Sequence, residues 1–232
     1  PQNGSVYSQG QTYQFNATTT DANLQTAIIE FNSINYTPAQ NGNVFSFNII
    51  NLAAGTYSYY WRANDSAGNT NISQVKIYTI SKAQSNISLS INHSKSNITI
   101  IQGTSIYLNA TLITGLGNIQ LYRNNTLINN NTSPISNLTN FTSLGLHNVT
   151  AIYQGNENYT ASSETLYVNV TAQLDTTPPY FATIPANATI NYTQSFSTSF
   201  QAQDNIALDT FAVNDTKFTI NSSGFLRNTT QL

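Results

Sequence analysis

Gly55-Thr-Tyr-Ser-Tyr-Tyr-Trp-Arg-Ala-Asn-Asp-Ser-Ala-Gly68 alternates along most of its length. In an extended chain successive side chains point to opposite faces, so Tyr57, Tyr59, Trp61 and Ala63 share one face and Thr56, Ser58, Tyr60, Arg62 and Asn64 the other. Aromatic residues at a period of two mark a half-buried strand. Asp65 to Gly68 supplies a turn, and the next strand is expected at Val75 to Ile80.

The same pattern extends outward. Upstream, Tyr13, Phe15 and Ala17 alternate with polar residues, and Ile28, Ile29, Phe31 and Val44-Phe-Ser-Phe47 give further short strands, making a first unit of residues 1–83. A second unit, 84–172, repeats the plan with strands at Ile87 to Ile91, Ile98 to Ile101, Ile106 to Leu112 and Ile119 to Tyr122, and a hairpin turn at Arg123-Asn-Asn-Thr126. Its aromatic strand runs from Leu146 to Tyr153, with His147, Val149, Ala151 and Tyr153 inward and Asn148 and Thr150 outward. Leu166 to Val170 follows. A third unit, 173–232, opens at the Pro-stiffened Asp175-Thr-Thr-Pro-Pro-Tyr-Phe181 and predicts strands at Ala188 to Tyr192, Ser195 to Ala202, Asp209 to Val213 and Phe218 to Ile220. It ends without the aromatic strand and final strand that close the other two, leaving Phe196, Phe200, Phe211 and Phe218 expected half exposed.

Composition narrows the classes. Of 232 residues only 7% are charged, against about 25% in an ordinary soluble domain, while 39% are hydrophobic. Seven Lys and Arg and a net charge of -2 cannot neutralise a run of phosphates, so no nucleic-acid partner is expected. No apolar run approaches the roughly 18 residues of a spanning helix, so no membrane segment is expected in this chain. With no Met the sequence reads as a processed or partial product, any signal or anchor lying outside it. Zero Cys excludes a disulfide framework and thiolate chemistry. Fourteen Tyr, eleven Phe and one Trp argue for a folded chain over a disordered one.

Asn-x-Ser/Thr is the other dominant signal. Acceptors stand at Asn16, Asn35, Asn64, Asn71, Asn86, Asn92, Asn97, Asn109, Asn124, Asn137, Asn148, Asn158, Asn169, Asn187, Asn191, Asn214, Asn221 and Asn228, with further triplets at Asn3, Asn130, Asn131 and Asn140. None has Pro in the middle. At roughly one per ten residues they point to covalent glycans on a translocated protein. The alternative is an Asn-biased composition without modification.

These stretches also carry a resemblance. Gly55 to Gly68 resembles the penultimate-strand segment of immunoglobulin-like and fibronectin-type modules, with Tyr57 placed as a tyrosine corner. Leu146 to Tyr159 is similar to bacterial and archaeal Ig-like repeats, and Phe218-Thr-Ile-Asn-Ser-Ser-Gly-Phe-Leu226 resembles a stretch of cadherin-like modules. The Asn/Thr/Ser style, as in Phe211 to Phe218, resembles that of large glycosylated archaeal surface proteins. The fold so implied is all-β: tandem immunoglobulin-like β-sandwich domains, fibronectin-type at 1–83, Ig-like at 84–172 and a partial cadherin-like or Ig-like sandwich lacking its last strands at 173–232.

Catalytic chemistry has little to work with. His147 falls on an inward strand position and His93 inside the loop sequon Asn92-His-Ser94, so neither suits a triad, and no enzyme activity is expected. The three Glu are Glu30, Glu157 and Glu164, and Asp65, Asp204 and Asp215 read as turn formers. No cofactor is expected. Calcium, which cadherin-like modules hold between domains, would have only Asp175 and Asp204 here against the about six to eight oxygens it takes. Trp61 with Tyr57 and Tyr59 reads as core before it reads as a sugar-stacking platform. The expectation is a structural subunit of an extracellular or cell-surface filament, S-layer or adhesive stalk that self-associates into a polymer. Val6 and Tyr7 are its candidate strand donors to a neighbouring subunit. An accessory region of a secreted enzyme, and a carbohydrate- or receptor-binding surface module, viral ones included, are the alternatives.

Overall fold

The computed structural model describes residues 4–191 and 193–230. The sequon at Asn3, the end of the strand expected at Tyr192, and Leu232 lie outside the described residues. The chain forms two compact units, Pro1–Thr171 and Ala172–Leu232. Among the described residues every regular element is a strand, so the fold is all-β, built from packed sandwich layers. Among the described residues no helix is long and apolar enough to cross a membrane.

The first sandwich uses β1 Gly4–Val6, β2 Thr12–Thr18, β3 Leu24–Phe31, β4 Ile34–Tyr36, β5 Ala39–Asn41, β6 Val44–Ile50, β7 Gly55–Asp65, β8 Thr70–Ile72 and β9 Lys76–Ser81. One sheet runs β1-β9-β7-β3-β4 with β8 also on β7, and the other runs β2-β6-β5. The expected rows point inward: Phe15 is fully buried, Tyr13, Phe31, Phe45 and Tyr59 nearly so, and Tyr57, Trp61 and Ala63 half-buried. Phe15 sits at the centre, its ring 4.9 Å from Tyr59, 5.1 Å from Phe31 and 5.4 Å from Tyr78. Each such ring withdrawn from water contributes roughly 1.5 to 3 kcal/mol. The turn after Asp65 leads first into the short edge strand β8 and only then to β9.

The second sandwich uses β10 Asn86–Ile91, β11 Ile98–Ile101, β12 Ser105–Thr114, β13 Asn118–Arg123, β14 Thr126–Thr132, β15 Ile135–Asn140, β16 Gly145–Tyr153 and β17 Ser162–Thr171. Its sheets are β10-β12-β15 and β11-β17-β16-β13-β14. The core between them is mostly aliphatic, with Leu89, Ile91, Leu108, Ile119, Leu121, Val149 and Val168 fully buried. The Arg123 to Thr126 turn joins β13 to β14 with Asn124 and Asn125 at φ 47° and 63°. Both central residues of a hairpin turn of the type I′ kind need positive φ, which Asn tolerates.

Both sandwiches belong to one unit because they meet directly. Ala83 bridges Tyr159, the Ala83 N–H donating to the Asn158 carbonyl and the Thr160 N–H to that of Ala83, each at 2.9 Å. The Tyr7 ring packs edge-on to Tyr159 at 5.4 Å, and Lys82 Nζ donates to the Asn156 carbonyl at 2.6 Å.

The second unit holds β18 Tyr180–Thr183, β19 Ser197–Ser199, β20 Gln201–Gln203, β21 Phe218–Ile220 and β22 Phe225–Asn228. They form a β18-β20 pair and a β19-β22-β21 sheet. Two expectations fail here. Residues 188–191 and Asp209 to Val213 are not strands, because no described neighbour offers them a ladder. The single strand expected from Ser195 to Ala202 is instead two. At Phe200, whose N–H donates to the Gly224 carbonyl at 2.9 Å, the chain leaves one sheet for the other. Among the described residues of this unit Gly224 alone is buried. Phe196, Phe200, Phe211 and Phe218 are half-buried, as expected.

Candidate glycan acceptors and open edges

None of the described acceptors is buried. Asn16, Asn35, Asn71, Asn86, Asn92, Asn97, Asn124, Asn169, Asn187, Asn191, Asn214 and Asn221 are exposed, as are Asn130, Asn131 and Asn140. Asn64, Asn109, Asn137, Asn148, Asn158 and Asn228 are half-buried. Alternation explains this: an acceptor beside an inward residue must itself face out, as Asn16 does beside Phe15 and Asn169 beside Val168.

The carboxamides differ in what they already hold. A sugar on Nδ2 leaves one N–H and the Oδ1 acceptor intact, so an acceptor whose Oδ1 closes a turn keeps that role. Asn221 Oδ1 is one, accepting from the Ser223 and Phe225 N–H groups at 3.0 and 2.9 Å. Asn97 Oδ1 accepts from the Tyr167 N–H, and Asn228 Oδ1 from the Phe196 N–H, both at 2.9 Å. Asn124 is more committed: its Nδ2 contacts His147 Nδ1 at 2.9 Å while its Oδ1 accepts the Asn148 N–H at 3.0 Å. Asn148 Oδ1 is buried without a partner among the described residues.

The remaining candidates are dispersed. Buried His147 is held from its other side by the Ser143 carbonyl at 2.8 Å from Nε2, and His93 is exposed in a left-handed turn at φ 67°. Among the described residues no three His, Cys, Asp or Glu side chains gather as a metal site would require. Asp175 and Asp204 do approach each other. With its amide nitrogen turned toward them, Asn205 donates to Asp204 Oδ1 at 2.5 Å and to Asp175 Oδ1 at 3.1 Å. Asp65 closes its own turn, accepting from the side chain and backbone of Asn69 at 2.8 Å each and from the Ala67 N–H at 2.9 Å. Those bonds to Asn69, the side-chain one foremost, hold its carboxyl below the ordinary value.

Val6 and Tyr7 lie along the chain's own first sandwich. Val6 ends β1, which pairs in parallel with β9 through Val6 and Ser81, and Tyr7 is buried with its N–H donating to the Ser81 carbonyl at 2.9 Å. Donation to another subunit would strip this edge.

Among the open hollows, two lined largely by the inward rows were not evident from sequence. In the second unit a cleft of about 290 Å³ is walled by Phe181, Phe200, Phe211, Ile220 and Leu226. In the first sandwich a larger cleft of about 650 Å³ opens between the sheets beside Phe45, Tyr59 and Trp61, with Asp21, Asn71 and Lys76 on its rim. The signal that could have found the second was the run of small residues, Ala17, Ala27 and Ala63, at one end of three inward rows.

No family model matches the chain, and no curated protein matches it. Among solved structures it is similar to the fibronectin(III)-like modules of Clostridium thermocellum CbhA, at 16% identity over 74% of this chain and 92% of that one, with a TM-score of 0.34. A structure of a 1.5-MDa bacterial ice-binding adhesin matches at 14% identity over 94% of this chain and 79% of that one, with a TM-score of 0.34. Bacteroides ovatus SGBP-B, solved with a mixed-linkage heptasaccharide, matches at 13% identity over 96% of this chain and 55% of that one, with a TM-score of 0.29. Scores of this size carry no inference about function.

Proposed function

We propose that this chain is a structural, non-enzymatic subunit of a glycosylated extracellular assembly, such as a filament, S-layer or adhesive stalk. The observation that carries the reading is the placement of the acceptors: they recur along both sandwiches and the second unit, and no described one is buried. Composition supports it, since a chain with 7% charged residues and an apolar core needs another hydrophilic coat, and sugar supplies one without charge. Self-association would use exposed edges and the half-open second unit. Unpaired strands template further strands, and a head-to-tail contact that does not close builds a fibre.

Native material tests both halves. Glycopeptide mass spectrometry is expected to find sugar at most of the exposed acceptors, with Asn169 among the best occupied and Asn124 among the least. Electron microscopy of the same material is expected to show a polymer. Acceptors that are mostly bare would sink the glycoprotein reading, and a monomer at all concentrations would sink the assembly.

A further inference from the structure

The first sandwich lacks side chains at one end of its core. Its inward rows run Tyr13, Phe15, Ala17 on β2 and Tyr59, Trp61, Ala63 on β7, and Ala27 of β3 stands directly opposite Ala63. Packed sheets lie about 10 Å apart, a gap that facing aromatic rings span and facing methyl groups do not. The outcome is the open cleft of about 650 Å³, in which the indole of Trp61 is only half-buried. Leaving it so forfeits both the dispersion and the burial that an aromatic ring of this size otherwise contributes.

Asn71 stands at the mouth of that cleft. It pairs with Ala63 across β7 and β8, and residues directly opposite in an antiparallel ladder share a face, so its side chain lies on the inner face of the sheet. Asn16 and Asn64 also border the cleft, but each alternates with an inward alanine and so faces out. β8 is pinned in place: the Trp61 N–H donates to Ser73 Oγ at 2.9 Å, the Ser73 N–H donates to the Trp61 carbonyl at 2.8 Å, and Asp65 locks the hairpin turn. Among the described residues the Asn71 carboxamide makes no hydrogen bond, and Asn71-Ile-Ser73 is a complete sequon.

Resting on the glycoprotein reading, we infer that the N-linked sugar of Asn71 folds into this cleft, lays its C–H face on the Trp61 indole and serves as the absent end of the core. A pyranose fits the lining. One face presents C–H groups to the ring and the edge presents hydroxyls to the polar rim of Asp21 and Lys76. The bond forms when Asn71 Nδ2 attacks the anomeric carbon of a lipid-phosphate-linked sugar. The C1–O bond breaks, the phosphate leaves with the electron pair, and the amide nitrogen gives up one of its two protons to a base.

The experiment uses the native glycosylated chain, where Trp61 is the only tryptophan. Its emission and acrylamide quenching are recorded before and after enzymatic trimming of glycans on the folded protein, and again in Asn71→Gln and in Asn35→Gln, the control on exposed β4. Trimming and Asn71→Gln are expected to shift emission to the red, raise quenching about two-fold as the indole loses its cover, and lower Tm by about 3 °C. Asn35→Gln should do none of these. Asn71 found bare while other acceptors carry sugar overturns the inference and leaves the glycoprotein reading standing. No sugar at any acceptor overturns both. Asn71 loaded but Trp61 indifferent to its removal also overturns it.

Discussion

Asn158 Oδ1 accepts the Ala54 N–H at 2.8 Å, a side-chain bond from the second sandwich to the backbone of the first. The same residue's carbonyl takes the Ala83 N–H, so one asparagine holds both the loop before β7 and the strand-to-strand crossing at Ala83. Asn158→Ala leaves the Ala54 N–H without its acceptor at a half-buried position. The expected loss is about 1 kcal/mol, seen as faster hydrogen exchange at Ala54 with the amides of β12 unaffected. Unchanged exchange at Ala54 would mean that this contact does not couple the two sandwiches.

Tyr57 makes the corner its sequence position suggested: its hydroxyl donates to the Ala53 carbonyl at 2.9 Å, fastening the loop before β7 to the strand. Tyr57→Phe retains the ring stacked on Phe31 at 5.5 Å and removes only that bond. Chemical denaturation should show a loss of about 1 kcal/mol with an unchanged m-value.

Much of this was legible because a strand's period is two and burial follows it. Tyr13 and Phe15, Tyr57 and Tyr59, and His147 and Val149 were assigned inward from alternation alone, and each is buried or half-buried. The Asn124-Asn125 turn was legible for a related reason, since few residues tolerate positive φ twice in succession. What alternation cannot supply is the partner. The parallel pairings of β1 with β9 and β11 with β17 join residues far apart in sequence, and nothing local at Val6 or Ile98 announces them. The same gap explains Asp209 to Val213, where a strand-like pattern has no neighbouring ladder. The Trp61 cleft went unseen because it arises from three alanines on three strands that converge only in space.

Stability is expected to hold across acid and neutral pH and to fail first in alkali. Asp65, its folded pKa lowered by Asn69, contributes stability above its unfolded pKa and loses it as pH falls through the lower folded value, a shallow limb below about pH 4. Burial raises the pKa of Tyr57, Tyr59 and Tyr153, with Glu157 adding to it at Tyr57. Their contribution is complete below the unfolded value of about 10 and is lost as pH rises through the higher folded values. Thermal melts from about pH 2 to 11 should give a broad plateau with its steeper fall on the alkaline side. A collapse near pH 4 would contradict this.

Gly224 cannot be replaced. It sits at φ +80° and a Cβ there would lie 2.2 Å from the Phe200 carbonyl oxygen, whose own N–H is bonded to the Gly224 carbonyl at 2.9 Å. Gly224→Ala must part β22 from the Phe200 crossover at a cost on the order of 2 to 3 kcal/mol. The loss should fall on the second unit, with the near-ultraviolet signal of the first sandwich preserved. A variant that melts as the parent does would show that the Phe200 crossover is not what holds this unit together.

The rings around Phe15 have an optical consequence. Four aromatic side chains within 6.3 Å of that ring form a chirally coupled set, joined at its margin by the chain's sole indole. The neighbouring sandwich is filled mostly by leucine, isoleucine and valine around Phe141 and Tyr153, and it has no tryptophan. Tryptophan emission therefore watches one sandwich while far-ultraviolet dichroism watches every strand. If the two lose structure in sequence, the chain carries its own two-colour record of the order.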